Sequence, residues 1–321
     1  MRTAAIGFLI VVAVLIAAVS QRHAIMFWAL SSDKPPPLLE KQDEGADVTW
    51  VDEYFTIQAL DDRTWAIGEP RYYQQVFSYL IVGSARAVLF DAGPGFYDIR
   101  PIVKGLTDLP ITFIPSHFHY DHTGNQITFQ NVAVVDMPYL RERAVGGVLP
   151  LTSNEHLGFL EGIEIPTLEV DEWLAVGSEV SLGDRNLRVL HTPGHTKESI
   201  SLLDQDSAML FTGDFIGPGI LAAFSPNSSM GDYARGVKTV MSEAQPEVRV
   251  FGAHRITPPG APEIEMQDVE DLQSALGEIR SGELAGEGIY PVIYKINNRI
   301  DLWTEPSWLQ DWTPNQLSAV D

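Results

Sequence analysis

The chain has no cysteine among its 321 residues. That absence excludes disulfides, thiolate nucleophiles, Cys-ligated zinc, iron–sulfur clusters and a lipidated Cys at the N-terminus. Any metal must therefore be held by His and carboxylates. Positive charge is scarce as well, with 21 Lys+Arg against 43 Asp+Glu and a net charge of −22. Such a surface repels polyphosphate and lacks a basic footprint, so nucleic acid is not an expected partner. Apolar residues are not scarce. At 45% hydrophobic and 10% aromatic, the chain can bury a sizeable core, which excludes a disordered or collagen-like class.

A long uncharged run that is also almost wholly apolar stands at the start. Ala4 to Val19 reads AAIGFLIVVAVLIAAV, preceded by Arg2 and followed by Ser20, Gln21, Arg22 and His23. Two readings fit: a secretory signal peptide cleaved after Ser20, or a retained membrane anchor extended by Ile25 to Trp28. Both place the remainder outside the cytoplasm, so the expected location is exported, periplasmic or membrane-anchored. Residues 31–48 combine a Pro triplet with charges and little apolar content, the composition of an extended tether. The expected organisation is a leader or anchor at 1–20, a tether at 21–48 and one domain at 49–321. No internal repeat is visible.

Within the domain, strand-like runs fall at 64–68, 76–83, 87–91, 111–115, 132–135, 187–191, 199–203, 208–212 and 248–252. Helical spacing is seen at Ile99, Ile102, Val103 and Leu106, and again at Met266, Val269, Leu272, Leu276 and Ile279. Strands and helices interleave, and some adjacent strands are joined by short turns. The pattern predicts a mixed α/β sandwich and not a purely parallel, doubly wound sheet.

Eight histidines carry the chemistry, and three of them fall in Ser116-His117-Phe118-His119-Tyr120-Asp121-His122, directly after an apolar run. In extended chain alternate side chains share a side, so His117, His119 and Asp121 can converge past a strand end. His122 begins the next turn and can aim at a neighbouring point. The segment can thus offer imidazoles to one metal and a carboxylate plus an imidazole to another. Further ligand types end other apolar runs: His195 in HTPGHT, Asp214 in FTGD and His254 in FGAH. Strand ends followed by loops are where an α/β scaffold gathers its site.

In this order the landmarks resemble those of the metallo-β-lactamase superfamily: Asp91 in LFDAGPG, HxHxDH at 117–122, then His195, Asp214 and His254. The resemblance runs from Tyr79 through His254. It implies a four-layer αββα sandwich with a dinuclear site at one edge. Carried over by position, His117, His119 and His195 would hold one metal, Asp121, His122 and His254 a second, and Asp214 would bridge them. It further implies metal-assisted hydrolysis by a metal-bound hydroxide, with Asp121 also orienting the nucleophile or relaying a proton. Two Zn²⁺ ions are expected, although all-N/O ligation also admits iron or manganese.

A bridging Asp214 resembles the glyoxalase II and lactonase-like branch. True β-lactamases of the fold usually carry Cys or Ser there, and the non-basic tail LWTEPSWLQDW disfavours a glutathione site. The leading expectation is hydrolysis of a small ester, lactone or thioester. A mononuclear-iron, persulfide dioxygenase-like oxidoreductase and a β-lactam hydrolase are the alternatives. Asp91 is expected to orient a ligand without binding metal. His191 is expected to hydrogen-bond in its turn, and His156 to be solvent-facing or locally bonded. Tyr120, Trp303, Trp308 and Trp312 read as packing aromatics. Residues 137–166 and 217–229 are expected to form a lid over an apolar acyl or lactone pocket.

Overall fold

The structure is a computed structural model that describes residues 12–14, 16–32, 34–126 and 129–314. Two sheets carry the fold. The first runs in the spatial order Val48–Trp50, Thr56–Asp61, Thr64–Glu69, Val76–Val82, Ala87–Phe90, Ile111–Ile114, Asn131–Val135 and Glu172–Leu174. The second runs Glu179–Ser181, Asn186–His191, Ile200–Asp204, Met209–Phe211, Arg249–Phe251 and Glu263–Glu265. Ala87–Phe90 pairs in parallel with Ile111–Ile114, as Met209–Phe211 does with Arg249–Phe251, while hairpin neighbours are antiparallel.

Side-chain alternation places the two sheets face to face. Met209 and Phe211 join the core the sheets share, whereas Leu210 points into a second core with Val237, Val240, Leu272 and Leu276. Val189 and Leu190, Leu202 and Leu203, and Phe251 and Val250 divide in the same way. Strands buried on both faces read as short continuous apolar runs in sequence. Full burial of each such side chain stabilises the fold by about 1.5–3 kcal/mol. The helices Met230–Glu243 and Met266–Ser281 cover the second sheet, and Arg100–Leu106 buries Ile102 and Val103 in the first core. The layers are those of a four-layer αββα sandwich.

The late helix forms where its spacing predicts. Glu265 and Asp268 make a reciprocal cap at its start, and Gly282, at φ +80°, ends it in a left-handed turn. Met230–Glu243 has no obvious signal in sequence, because Gly231, Gly236 and charged residues dilute its apolar spacing. The Ser229 side chain nonetheless accepts from the Asp232 amide, and Met230, Tyr233, Val237 and Val240 are buried along one face. A third, small sheet was also not anticipated. Gly219–Ala223 pairs in parallel with Ile300–Thr304, which pairs antiparallel with Val292–Lys295.

Residues 21–48, read from composition as a tether, include the helix Arg22–Leu30 and several fixed contacts. The Leu39 amide donates to the Arg71 carbonyl at 2.7 Å, and Arg71 Nε donates back to the Leu39 carbonyl at 2.8 Å. Glu44 is buried against Arg255, Oε1 to Nη2 2.7 Å. Of the uncharged run at 4–19, residues 4–11 and 15 lie outside the described residues. Among the described residues no single helix is long and apolar enough to cross a membrane.

Candidate metal centre

Parallel register brings strand ends to one edge. Phe90 pairs with Ile114 and Phe211 with Phe251, so Asp91, the 116–122 segment, Asp214 and His254 all leave neighbouring strands at the same end. The sheets are tied there, because the Ile200 amide donates to the Ser116 carbonyl at 2.9 Å and the Phe77 amide to the Ala253 carbonyl at 2.8 Å. The chain bends at Ser116 and His117, is extended at His119 and then turns into the short helix Tyr120–Thr123. That change of direction sends Asp121 and His122 to a point beside the one reached by His117 and His119. Two glycines permit the close approach. A Cβ on Gly213, at φ +54°, would fall 2.3 Å from Ser116 Oγ. One on Gly194, at φ +145°, would fall 2.4 Å from the Tyr233 ring.

All seven residues carried over from the resemblance converge, in two groups. His117, His119, His195 and Asp214 offer donor atoms within 4.8 Å of one another, as do Asp121, His122 and His254. In the first group His119 Nδ1 lies 2.9 Å from His117 Nε2 and 3.0 Å from His195 Nε2. In the second, His254 Nε2 lies 3.3 Å from Asp121 Oδ2, and both His122 Nε2 and His254 Nε2 lie 3.3 Å from Asp214 Oδ1. Asp214 Oδ2 faces the first group, 3.4 Å from His195 Nε2. One carboxylate therefore addresses both.

The outer ring nitrogens fix which atoms point inward. His195 Nδ1 donates to the Ala222 carbonyl at 2.9 Å, His254 Nδ1 to the Gln74 carbonyl at 2.9 Å and His122 Nδ1 to Asp91 Oδ2 at 2.9 Å. These acceptors draw a ring proton to Nδ1, so each of the three rings, when neutral, presents an Nε2 lone pair to the interior. Ser116 Oγ contacts His117 Nδ1 at 3.0 Å. In the tautomer that leaves His119 Nδ1 unprotonated, its lone pair meets those of His117 Nε2 and His195 Nε2 at about 3 Å, and they repel unless a cation lies among them. Asp214 Oδ1 is buried and makes no hydrogen bond of acceptable geometry despite its two His neighbours. The donor set and this orphaned oxygen fit divalent metal ions.

Charge separates the groups. Burial pushes His117 well below the usual imidazole range, helped by His122 and His119, and pushes His119 down to about 3, helped by His195. Burial also lowers His195. In the second group burial acts the same way but is outweighed by carboxylates. Asp214, Asp91 and Asp121 raise His122 well above its usual range, and Asp214 and Asp121 hold His254 up at about 10. The second group thus calls for positive charge, which a bound cation would supply.

Asp91, in the left-handed region at φ +64°, orients two segments at once. Its Oδ2 accepts from His122 and its Oδ1 from the Ser116 amide at 2.7 Å. His191 bonds the Lys197 carbonyl at 2.8 Å through Nε2, within its own turn. His156 departs from expectation. The insertion folds on itself through Ser153–His156 and a left-handed Leu157, leaving His156 1% exposed and pushed down to about 4 by burial. Tyr120 does more than pack, since its hydroxyl donates to Glu161 Oε1 at 2.7 Å and lies 3.0 Å from the Tyr72 hydroxyl. Trp308 does not pack and is 68% exposed.

Sequence reasoning missed Gln74 and Ala222, which act through backbone carbonyls and have no residue-type signature. It also missed Glu161 and Tyr72, whose partnership with Tyr120 joins segments distant in sequence. The mouth of the centre is lined by His195, Asp214, His254 and the apolar Pro218, Ile220 and Leu221.

The family model of the metallo-beta-lactamase superfamily matches residues 71–283. The chain is 27% identical over 221 residues to the acyl-coenzyme A thioesterase MBLAC2 of Gallus gallus, covering 61% of this chain and 73% of that protein. It is 28% identical over 148 residues to the probable metallo-hydrolase YqgX of Bacillus subtilis, covering 45% and 68%. Among solved structures, the metallo-beta-lactamase from Pontibacter korlensis aligns with a TM-score of 0.52 at 15% identity, over 70% of this chain and 99% of that one. That likeness is one of fold. With a family match that takes in strands of both sheets and all seven converging donors, the chain belongs to the metallo-beta-lactamase superfamily.

Proposed function

We propose that the protein is a metal-dependent hydrolase of an acyl thioester or ester, with zinc as its metal and two ions per chain. The observation that carries this reading is the divided donor cluster with Asp214 between its halves. His117, His119 and His195 would hold one ion and Asp121, His122 and His254 the other, with Asp214 shared. Bound divalent cations supply Lewis acidity toward a carbonyl oxygen and bring the pKa of coordinated water toward neutrality. The chain's own residues do the rest. Asp91, Ala222 and Gln74 hold the imidazoles in the ligating tautomer. Asp121, buried at the second group, accepts a proton from the nucleophile or passes one to the leaving group.

Pro218, Ile220 and Leu221 offer an acyl chain an apolar wall beside Asp214. The segments 137–166 and 217–229 meet where Asn227 Nδ2 donates to the Asn154 carbonyl at 3.3 Å, and it is the second that lines the mouth. The acyl-coenzyme A thioesterases among the relatives favour a thioester over a lactone.

The test is metal analysis of active protein together with a panel of acyl-CoA thioesters, aryl esters and lactones. About two zinc ions per chain are expected, with highest kcat/KM on acyl thioesters and activity lost in His119→Ala. Active protein without stoichiometric transition metal would sink the reading, as would metal-loaded protein that turns over no acyl substrate.

A further inference from the structure

The helix Arg22–Leu30 is amphipathic in an inverted sense. Toward the protein, Phe27 is buried and meets Phe159 edge-on, with ring centroids 5.6 Å apart. Arg22 Nε and His23 Nε2 both contact Glu305 Oε1, the latter at 2.9 Å. Just beyond the helix, the Ser32 amide donates to the Leu160 carbonyl at 2.8 Å. The outward strip is Ala24, Ile25, Trp28 and Ala29, with Ile25 50% and Trp28 81% exposed. An ordinary surface helix turns its charges to water and its apolar stripe to the core. Here Arg22 and His23, half-buried, turn to Glu305, and the apolar stripe faces out.

Two further exposed apolar groups border the strip. Phe159 lies against Phe27, and Trp308 sits in the turn that follows Glu305. Of the seven Trp in the chain, only Trp28 and Trp308 are exposed. Indole rings, apolar with one N–H, are the side chains favoured at the boundary between headgroups and acyl chains. The uncharged run Ala4 to Val19 ends just before the helix, and the helix stays with the domain whether or not the chain is cut after Ser20. A net charge of −22 opposes attraction to anionic lipid, so contact must rest on apolar area.

We propose that this strip, bordered by Phe159 and Trp308, seats the domain on the interface of a neutral lipid bilayer. The seat and the mouth of the metal centre are joined through one pair of strands. Glu305 directly follows the strand Ile300–Thr304, whose parallel partner Gly219–Ala223 contributes Ile220 and Leu221 to the mouth.

The experiment uses the full chain with phosphatidylcholine vesicles whose acyl chains carry bromine, a contact quencher of Trp emission. Wild-type emission should be quenched, the quenched fraction should fall by about half or more in Trp28→Phe, and raised salt should leave it unchanged. Trp28→Phe with Trp308→Phe should lower it further. A vesicle-bound chain with unquenched emission would overturn the proposal, as would Trp28→Phe quenched like the wild type. Self-association abolished by Trp28→Glu, in a parent chain that lipid does not quench, would assign the strip to a second copy and overturn the bilayer. Trp28 is too exposed for these variants to unfold the chain, and the readout is independent of hydrolysis.

Discussion

His117, His119 and His195 face one another with Asp214 as the carboxylate within ion-pair reach, whereas His122 and His254 face Asp91, Asp121 and Asp214 between them. The first half is kept neutral by burial, and its imidazoles already present lone pairs. The second half is steeped in negative charge, so its imidazoles hold protons until other positive charge arrives. If each half takes a cation, as proposed, the two differ in what that cation must displace. Loading the second half should release protons, while loading the first should release few.

Four measurements can break or sharpen this comparison. The largest effect is expected from Asp214→Ala, because that carboxylate serves both halves. Metal content should fall at both, and kcat/KM should drop by about a thousandfold or more; a drop confined to one half would deny Asp214 its shared role. Asp91→Asn should act chiefly on the second half, because the amide oxygen can still accept from the Ser116 N–H. It weakens the acceptor that fixes His122, so affinity for one of the two ions should fall about 10–100-fold in competition titrations while the other is retained.

Glu69 gives a smaller, pH-dependent effect. Burial raises its carboxyl to about 8, the Tyr54 hydroxyl at 2.7 Å opposes this, and Asp121 adds to it. Between about pH 4.5 and 8 the folded chain keeps a proton there that the unfolded chain has lost. Stability from this group is full below that window and declines as pH rises through it, by an amount on the order of a few kcal/mol. Denaturant melts across the window should show the decline in the parent and a flatter profile in Glu69→Gln. The smallest effect should follow Ser116→Ala, which removes one hydroxyl contact from His117. A cost of about 1 kcal/mol or less is expected in metal affinity of the first half. An effect as large as that of Asp91→Asn would mean that the halves are not held differently.

The convergence of these side chains was legible in sequence because imidazoles and carboxylates are few and distinctive ligand types in a chain without cysteine, and strand ends are marked by apolar runs. Ile111–Ile114, Met209–Phe211 and Arg249–Phe251 lie where short runs of Phe, Ile, Leu and Val predict them. What holds the donors was not legible. Ala222 and Gln74 accept through carbonyls that every residue possesses, and the pairing of Gly219–Ala223 with Ile300–Thr304 joins segments that share no pattern. His156 misled for a related reason: a polar residue in an insertion reads as exposed until the insertion is seen to fold back on itself.

The pairing of Glu44 with Arg255 reaches across 211 positions and ends next to His254. A boundary drawn by composition at Thr49 would keep all seven donors and nearly every strand. It would also strip the Arg255 guanidinium, 5% exposed in the full chain, of its carboxylate and leave it only the Gln75 and Gly260 oxygens. An unpaired buried cation costs about 3–5 kcal/mol, a large share of a domain's stability. A shortened chain that aggregates or arrives short of one metal would then report a cut made too late in the sequence, and say nothing about the catalytic competence of the full protein.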